Sequence, residues 1–196
     1  MRLRGATLVG GWSRGVRLLA AWDGHGMTAT QSHALLFEDF PAIRSAWPGR
    51  REDTRRFTGG IDQGVFTAVI VGVVESAFAE ARRQLRRKID DTRAYERVEW
   101  SRADLEEWLI CQAFEGVLRA METQEFPECD MLKGKTAIAE LAESALGRLC
   151  RILGGGTFSR HGPLGFWFQD VRALGFLRPP WGFAFDRLFE DSFPSE

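Results

Sequence analysis

The sequence predicts a mainly α protein: an up-and-down four-helix bundle over residues 61–190, preceded by a short partial β-domain at 1–50 and a linker at 51–60. Three observations carry this. After residue 60, apolar residues recur at three- and four-residue steps, the period of a helix with one buried face. Before residue 50 the chain is rich in Gly, Thr and Ser, with short β-like stretches and no helix-length period. Between them, Arg50-Arg51-Glu52-Asp53-Thr54-Arg55-Arg56 mixes both signs of charge and reads as a solvated connector.

Taken in order, the β-like stretches are Ala6–Val9, Val16–Ala20 and Ala34–Phe37, punctuated by Gly24, Gly26, Pro41 and Pro48. A first helix is expected over residues 62–88, where Phe66, Val69, Ile70, Val73, Val74, Ala77, Ala81 and Leu85 share a face. Its far end is basic, from Arg82 to Lys88, as suits the negative end of a helix dipole. Ser101 and Asp104 form an S-x-x-D capping pattern that opens a second helix through Leu105, Trp108, Leu109, Ala113, Val117 and Ala120. The stretch 122–133 with Gly134 reads as a break. A third helix carries Ile138, Leu141, Ala142, Ala145, Leu146, Leu149 and Leu153 and stops at Gly154-Gly155-Gly156. Gly162-Pro163 opens a fourth, since proline is tolerated in a first turn, and it ends near Gly175, before Pro179-Pro180. Short connections make neighbouring helices antiparallel, hence a bundle.

Composition narrows the function. A net charge of −1 argues against a nucleic-acid binder that works through a basic field. Gly, Ser and Arg interrupt each apolar run in residues 1–20, against a signal peptide, and no stretch reads as a membrane span. Three cysteines without a C-x-x-C fit reduced thiols of a cytoplasmic protein, with Cys111 and Cys150 as small apolar fillers in helices. Seven Trp and fifteen Phe stand against one Tyr, and Phe166, Trp167, Phe168, Phe176, Trp181, Phe183 and Phe185 crowd the last quarter. A buried seam or an oligomer interface explains that cluster, as does a flavin or acyl pocket.

Several motifs fail. Lys133-Gly134-Lys135-Thr136 contains the end of a phosphate loop, but the first glycine it needs is Cys129 and no strand precedes it. Gly11-Trp12-Ser13-Arg14-Gly15 has the spacing of a nucleophile elbow without its strand–turn–helix setting. His25, His33 and His161 lack metal-ligand spacing among themselves or with the cysteines, so no metal is expected.

Two blocks carry a family resemblance. Residues 22–40, Trp22-Asp23-Gly24-His25-Gly26-Met27-Thr28-Ala29-Thr30-Gln31-Ser32 onward to Phe37 and Phe40, resemble the W-x-x-x-G-M-R-x-T-x-S-x-x-x-x-F-x-x-V segment that closes the middle β-domain of acyl-CoA dehydrogenases. Arg151-Ile152-Leu153-Gly154-Gly155-Gly156-Thr157-Phe158, running on through Pro163 to Asp170, resembles that family's Q-I-x-G-G-x-G-Y…P…R-D segment. Between them, Gln63–Ala81 is similar to the family's first bundle helix, with Gly72 at a close-packing position. The resemblance covers residues 15–186 and implies the family's C-terminal bundle, with FAD as cofactor and an acyl-CoA or related small molecule as substrate. The partner it implies is a second copy or a full-length paralogue. It places the glycine run against the FAD of a neighbouring subunit, with Gly154 and Gly155 contributing bare backbone. Arg151, where the family has glutamine, can donate to a pyrophosphate through its planar fork, and Arg93 stands where the family often has an arginine aimed at the same cofactor. A simple helix C-cap for the glycines and a solvated loop arginine at Arg93 remain open readings.

The chain departs from the family at the base that removes the substrate's α-proton. The usual glutamate position falls at Arg178, whose guanidinium stays protonated and cannot accept that proton. Some members carry the glutamate on the first bundle helix; that position falls at Asp62, which also reads as an ordinary helix N-terminal acid. The family's N-terminal helical domain and early β-strands have no counterpart here. A truncated product, a misplaced start or one half of a two-chain assembly is therefore expected, binding FAD poorly by itself. The functional expectation is an acyl-CoA dehydrogenase-like flavin-dependent oxidoreductase. A flavin monooxygenase of the same fold, or a non-catalytic helical interaction subunit of a flavoprotein complex, is the alternative.

Overall fold

In the computed structural model the chain divides into two compact units, Met1–Gly49 and Arg50–Glu196. The structure describes residues 15–40, 61–123, 128–177 and 179–193, with the side chains of 61–63 outside the description. The expected strand at Ala6–Val9, the charged connector at 50–56, Ser13 and Arg178 lie outside the described residues.

The first unit holds an antiparallel pair, β1 (Val16–Ala20) and β2 (Ala34–Phe37), with Val16 opposite Phe37, Arg17 opposite Leu36 and Leu18 opposite Leu35. The register shifts between Leu18 and Ala20, the mark of a bulge. The connection is stitched by side chains: the Trp22 backbone N–H donates to His33 Nδ1 (2.8 Å) and the Trp22 indole to the Met27 carbonyl (3.1 Å). His33 Nδ1 thus serves as the acceptor of a structural hydrogen bond within the connection.

The second unit is helical. Its described helices are α1 (Ile61–Leu85), α2 (Ala94–Glu122), α3 (Glu128–Leu153), α4 (Leu164–Arg172) and α5 (Trp181–Ser192). A 3₁₀ segment, Arg86–Asp91, joins α1 to α2. The first four helices form the expected bundle: α1 packs on α2, α2 on α3, α3 on α4 and α4 back on α1, with α3 also touching α1 across the centre. The core comprises Ile70, Val74, Ala77 and Phe78 of α1, Ala103 and Ile110 of α2, Ile138, Ala142, Leu146 and Leu149 of α3, and Leu164 and Val171 of α4. Gly64–Asp91 is long and apolar enough to cross a membrane by length and composition, which the sequence reading did not register. Its Ile70, Val74 and Phe78 face this core.

Three boundaries differ from expectation. Helix α2 starts seven residues before Ser101, because Glu96 rather than Asp104 supplies the cap: its carboxylate accepts the Arg93 backbone N–H at 2.8 Å. Ser101 lies inside the helix, and its hydroxyl donates to the Arg97 carbonyl. Gly134 is not a break but a packing position within α3, where a Cβ would strike the Val117 side chain and come within 3.2 Å of the Ala113 carbonyl. A fifth helix, α5, follows directly on Pro180, a proline that ends one segment and starts the next.

Candidate functional site

The end of α1, the start of α2 and the end of α3 meet at one end of the bundle, and this is where the sequence-predicted cofactor residues gather. The α2–α3 seam is fastened by charge. Arg148 donates to Glu99 (2.9 Å) and Glu106 (3.0 Å), Ser144 donates to Glu106 (2.8 Å), and Arg151 reaches Glu99 at 3.4 Å. Arg82 of α1 reaches across to Glu107 and Asp104 of α2 and lies over the rings of Phe78 (5.3 Å) and Trp100 (5.6 Å). The two rings meet edge to face at 5.9 Å.

Beside this clamp lies a cavity of about 240 Å³, walled by Leu85, Ile89, Trp100 and Ile152 and rimmed by Arg86 and Arg97. It is an apolar recess whose charged lining is mainly cationic, with Glu96 among the arginines. Thr92 and Ile152 in its wall are the chain neighbours of Arg93 and Arg151. Both arginines, predicted from different stretches of sequence, are thus brought to the same end. Arg93 is exposed at the start of α2, and 72% of the Arg151 side chain is exposed.

The glycine corner follows α3. Gly154 has φ +77°, a left-handed conformation that stops the helix and that a side chain would strain. The chain then makes a 3₁₀ turn, Gly154–Phe158, held by the Thr157 hydroxyl donating to the Gly154 carbonyl (2.9 Å). Gly165 of α4 backs the turn, where a Cβ would come within 2.6 Å of the Thr157 carbonyl. Outward, the corner is bare: nothing lies within 4 Å of where a Cβ would stand on Gly154, Gly155 or Gly156. The helix-cap reading and the ligand reading are therefore compatible at this corner. Backbone is exposed at Gly154–Gly156, and Arg151 just before it carries an exposed guanidinium; at this carboxyl end of α3 any pull on an anion comes from that guanidinium, since the helix terminus presents carbonyls and the negative end of its dipole.

Asp62 lies in the first turn of α1, with its side chain outside the description. Lys133 to Thr136 sit inside α3, confirming that no phosphate loop forms there. Sequence reasoning missed Lys135, which is 3% exposed and donates to the carbonyls of Leu177 and Pro179, each at 2.6 Å. Burial lowers its pKa from 10.5 to about 8. It also missed the aromatic clamp on Arg82, whose signal was the cation one turn after Phe78. The cysteines are half-buried, and burial pushes the thiols of Cys111, Cys129 and Cys150 up, so nucleophilic thiolate is scarce near neutral pH. No group of three potential metal ligands occurs among the described residues.

No protein-family model matches the sequence, and no curated protein matches it. Solved structures do match. The nitrososynthase of Micromonospora carbonacea var. africana superposes with a TM-score of 0.78 at 21% identity, covering 92% of this chain and 50% of that one. KijD3, solved with FMN and dTDP-3-amino-2,3,6-trideoxy-4-keto-3-methyl-D-glucose, gives 0.76 at 21%, covering 93% and 49%. The dibenzothiophene monooxygenase TdsC of Paenibacillus sp. A11-2 gives 0.73 at 17%, covering 92% and 53%. The chain has the acyl-CoA dehydrogenase-like fold and spans about half the length of the structures it matches.

Proposed function

We propose that this chain is the C-terminal portion of a flavin-dependent oxidoreductase, and that its glycine corner, with Arg93 and Arg151, holds the diphosphate of FAD shared with another polypeptide. The observation that carries this is the open corner: bare backbone at Gly154–Gly156 beside an Arg151 side chain left 72% exposed. A bound flavin would supply two-electron chemistry; the chain's own residues bind and orient it. Arg93 and Arg151 would each direct a planar pair of N–H donors at phosphate oxygens.

Within that class, oxygenation is favoured over acyl-CoA oxidation. The position at which the resemblance expects a glutamate base is Arg178, which cannot remove an α-proton. The similar structures include a nitrososynthase and a monooxygenase. The acyl-CoA reading keeps Asp62 as its one candidate base. Fluorescence titration of the full chain with FAD tests the binding claim. Weak but saturable quenching is expected of the chain by itself, weakened further, roughly tenfold, by Arg151→Ala or Arg93→Ala, the effect of losing one charge-assisted contact. Bound flavin that an acyl-CoA does not bleach anaerobically supports oxygenation, and bleaching abolished by Asp62→Asn restores the dehydrogenase reading. Absence of any flavin binding leaves the non-catalytic subunit.

A further inference from the structure

The recess beside the Arg82 clamp grades from apolar and buried to charged and open. Leu85 and Ile152 are buried, and Trp100 is half-buried beside them. Ile89, 58% exposed, and the exposed Arg86 and Arg97 stand at the mouth. Most of the polar groups in the lining are already spent. Arg82 is held by Glu107 and Asp104, and the Glu96 carboxylate accepts the Arg93 backbone N–H. The hydroxyls of Thr92 and Ser101 donate to the carbonyls of Lys88 and Arg97. Two guanidiniums are left over. Arg86 pairs with no carboxylate among the described residues, and Arg97 commits only its Nε, which donates to the Thr92 carbonyl at 3.2 Å.

We infer that this recess binds a medium-chain carboxylate, its alkyl chain against Leu85, Trp100 and Ile152 and its head group at the Arg86 and Arg97 guanidiniums. Charge sets the head group. A carboxylate accepts paired N–H bonds from a guanidinium, and Arg86 and Arg97 each have donors free for it. The only acid in the lining, Glu96, stands against three arginines. Volume sets the chain length. About 240 Å³ holds roughly eight water-sized groups at about 30 Å³ each, so a chain of about eight carbons fills it. Such a chain also covers Ile89, whose apolar surface is otherwise left to water. The recess is remote from the candidate base: Asp62 lies at the other end of α1, roughly 35 Å away at 1.5 Å per residue. It shares no residue with the glycine corner, Arg93 or Arg151, so the inference stands apart from the flavin reading.

The test is calorimetric titration of the full chain with octanoate in the absence of flavin, with far-UV circular dichroism to confirm that each variant folds. One saturable site is expected. From hexanoate to octanoate the dissociation constant should fall about fourfold per carbon, the increment for burying one methylene. 1-Octanol, which lacks the charge, should bind at least about tenfold more weakly than octanoate. Arg86→Gln and Arg97→Gln, both at exposed positions, should each weaken octanoate by about three- to tenfold. Ile89→Glu, which sets a carboxylate at the mouth, should weaken it at least about tenfold. Octanoate that shows no saturable binding overturns the inference, as does octanol that binds equally well or an affinity that the three variants leave untouched. Displacement of octanoate by AMP, one for one, would assign the recess to a nucleotide and overturn it too.

Discussion

Replacing Lys135 by Met isolates the energetics of one buried cation. The ammonium is sheltered from water with two backbone carbonyls as partners and no carboxylate beside it among the described residues. A pKa lowered from 10.5 to about 8 means that the charged form is disfavoured by about 3 kcal/mol in the folded chain. Between those two values the unfolded chain holds a proton that the folded chain has released, so this group's contribution to stability rises with pH across that window. Below pH 8 both states are protonated and the penalty is present in full. The neutral amine still has two N–H groups for the carbonyls of Leu177 and Pro179. Methionine has none, and leaves two buried acceptors unmet at roughly 1–3 kcal/mol each. Urea unfolding of wild type and Lys135→Met, followed by circular dichroism from pH 7 to 10.5, gives the difference between them at each pH. Taking that difference removes the opposing drift of the cysteines, whose raised pKa values lower stability as pH climbs. The advantage of wild type should widen by about 3 kcal/mol between pH 7.5 and 10.5. A difference that is flat across that range would refute a buried, desolvated ammonium at this position.

Other substitutions separate packing from conformational freedom. Gly134→Leu should destabilise by about 1–3 kcal/mol in urea unfolding, because the new side chain enters the α2–α3 seam. Gly72→Ala meets nothing within 4 Å and should instead stabilise α1 by roughly 0.5–1 kcal/mol. Phe78→Ala empties a fully buried core position and removes the ring beneath Arg82; a loss of about 3–5 kcal/mol is expected by the same assay. Arg148→Met removes the cation shared by Glu99 and Glu106, leaving Glu99 with Arg151 and Arg102 and Glu106 with the Ser144 hydroxyl, and should cost about 1–3 kcal/mol by the same assay.

Much of the helical unit was legible because its helices bury one face: the long runs in α1 and α3 announce themselves by period. The strands at Val16–Ala20 and Ala34–Phe37 show instead as short β-like stretches set off by Gly and Pro. The start of α2 was hidden because Ser101 and Asp104 imitate a cap inside a helix, while the acting cap, Glu96, follows an arginine that no capping pattern includes. Gly134 looked like punctuation because a glycine that admits a neighbouring helix and one that ends a helix are identical in sequence; only the partner, Val117, distinguishes them. Helix α5 was obscured by its aromatics, which lie on an outward face rather than marking an inward one. At the candidate site, the glycine run and both arginines are named by the family resemblance, which gives each a position in the sequence. The recess beside them could not be named so, since its walls come from three helices and only folding brings Leu85, Trp100 and Ile152 together.

The guanidinium of Arg82, laid across two rings and tied to a neighbouring helix, has little freedom left to lose. A guest entering the adjoining recess would meet, on the Arg82 side, a wall already held in place, so little further ordering of that side chain would offset its affinity. Recognition there would depend on shape more than on adjustment, and close analogues would be sorted by whether they fit.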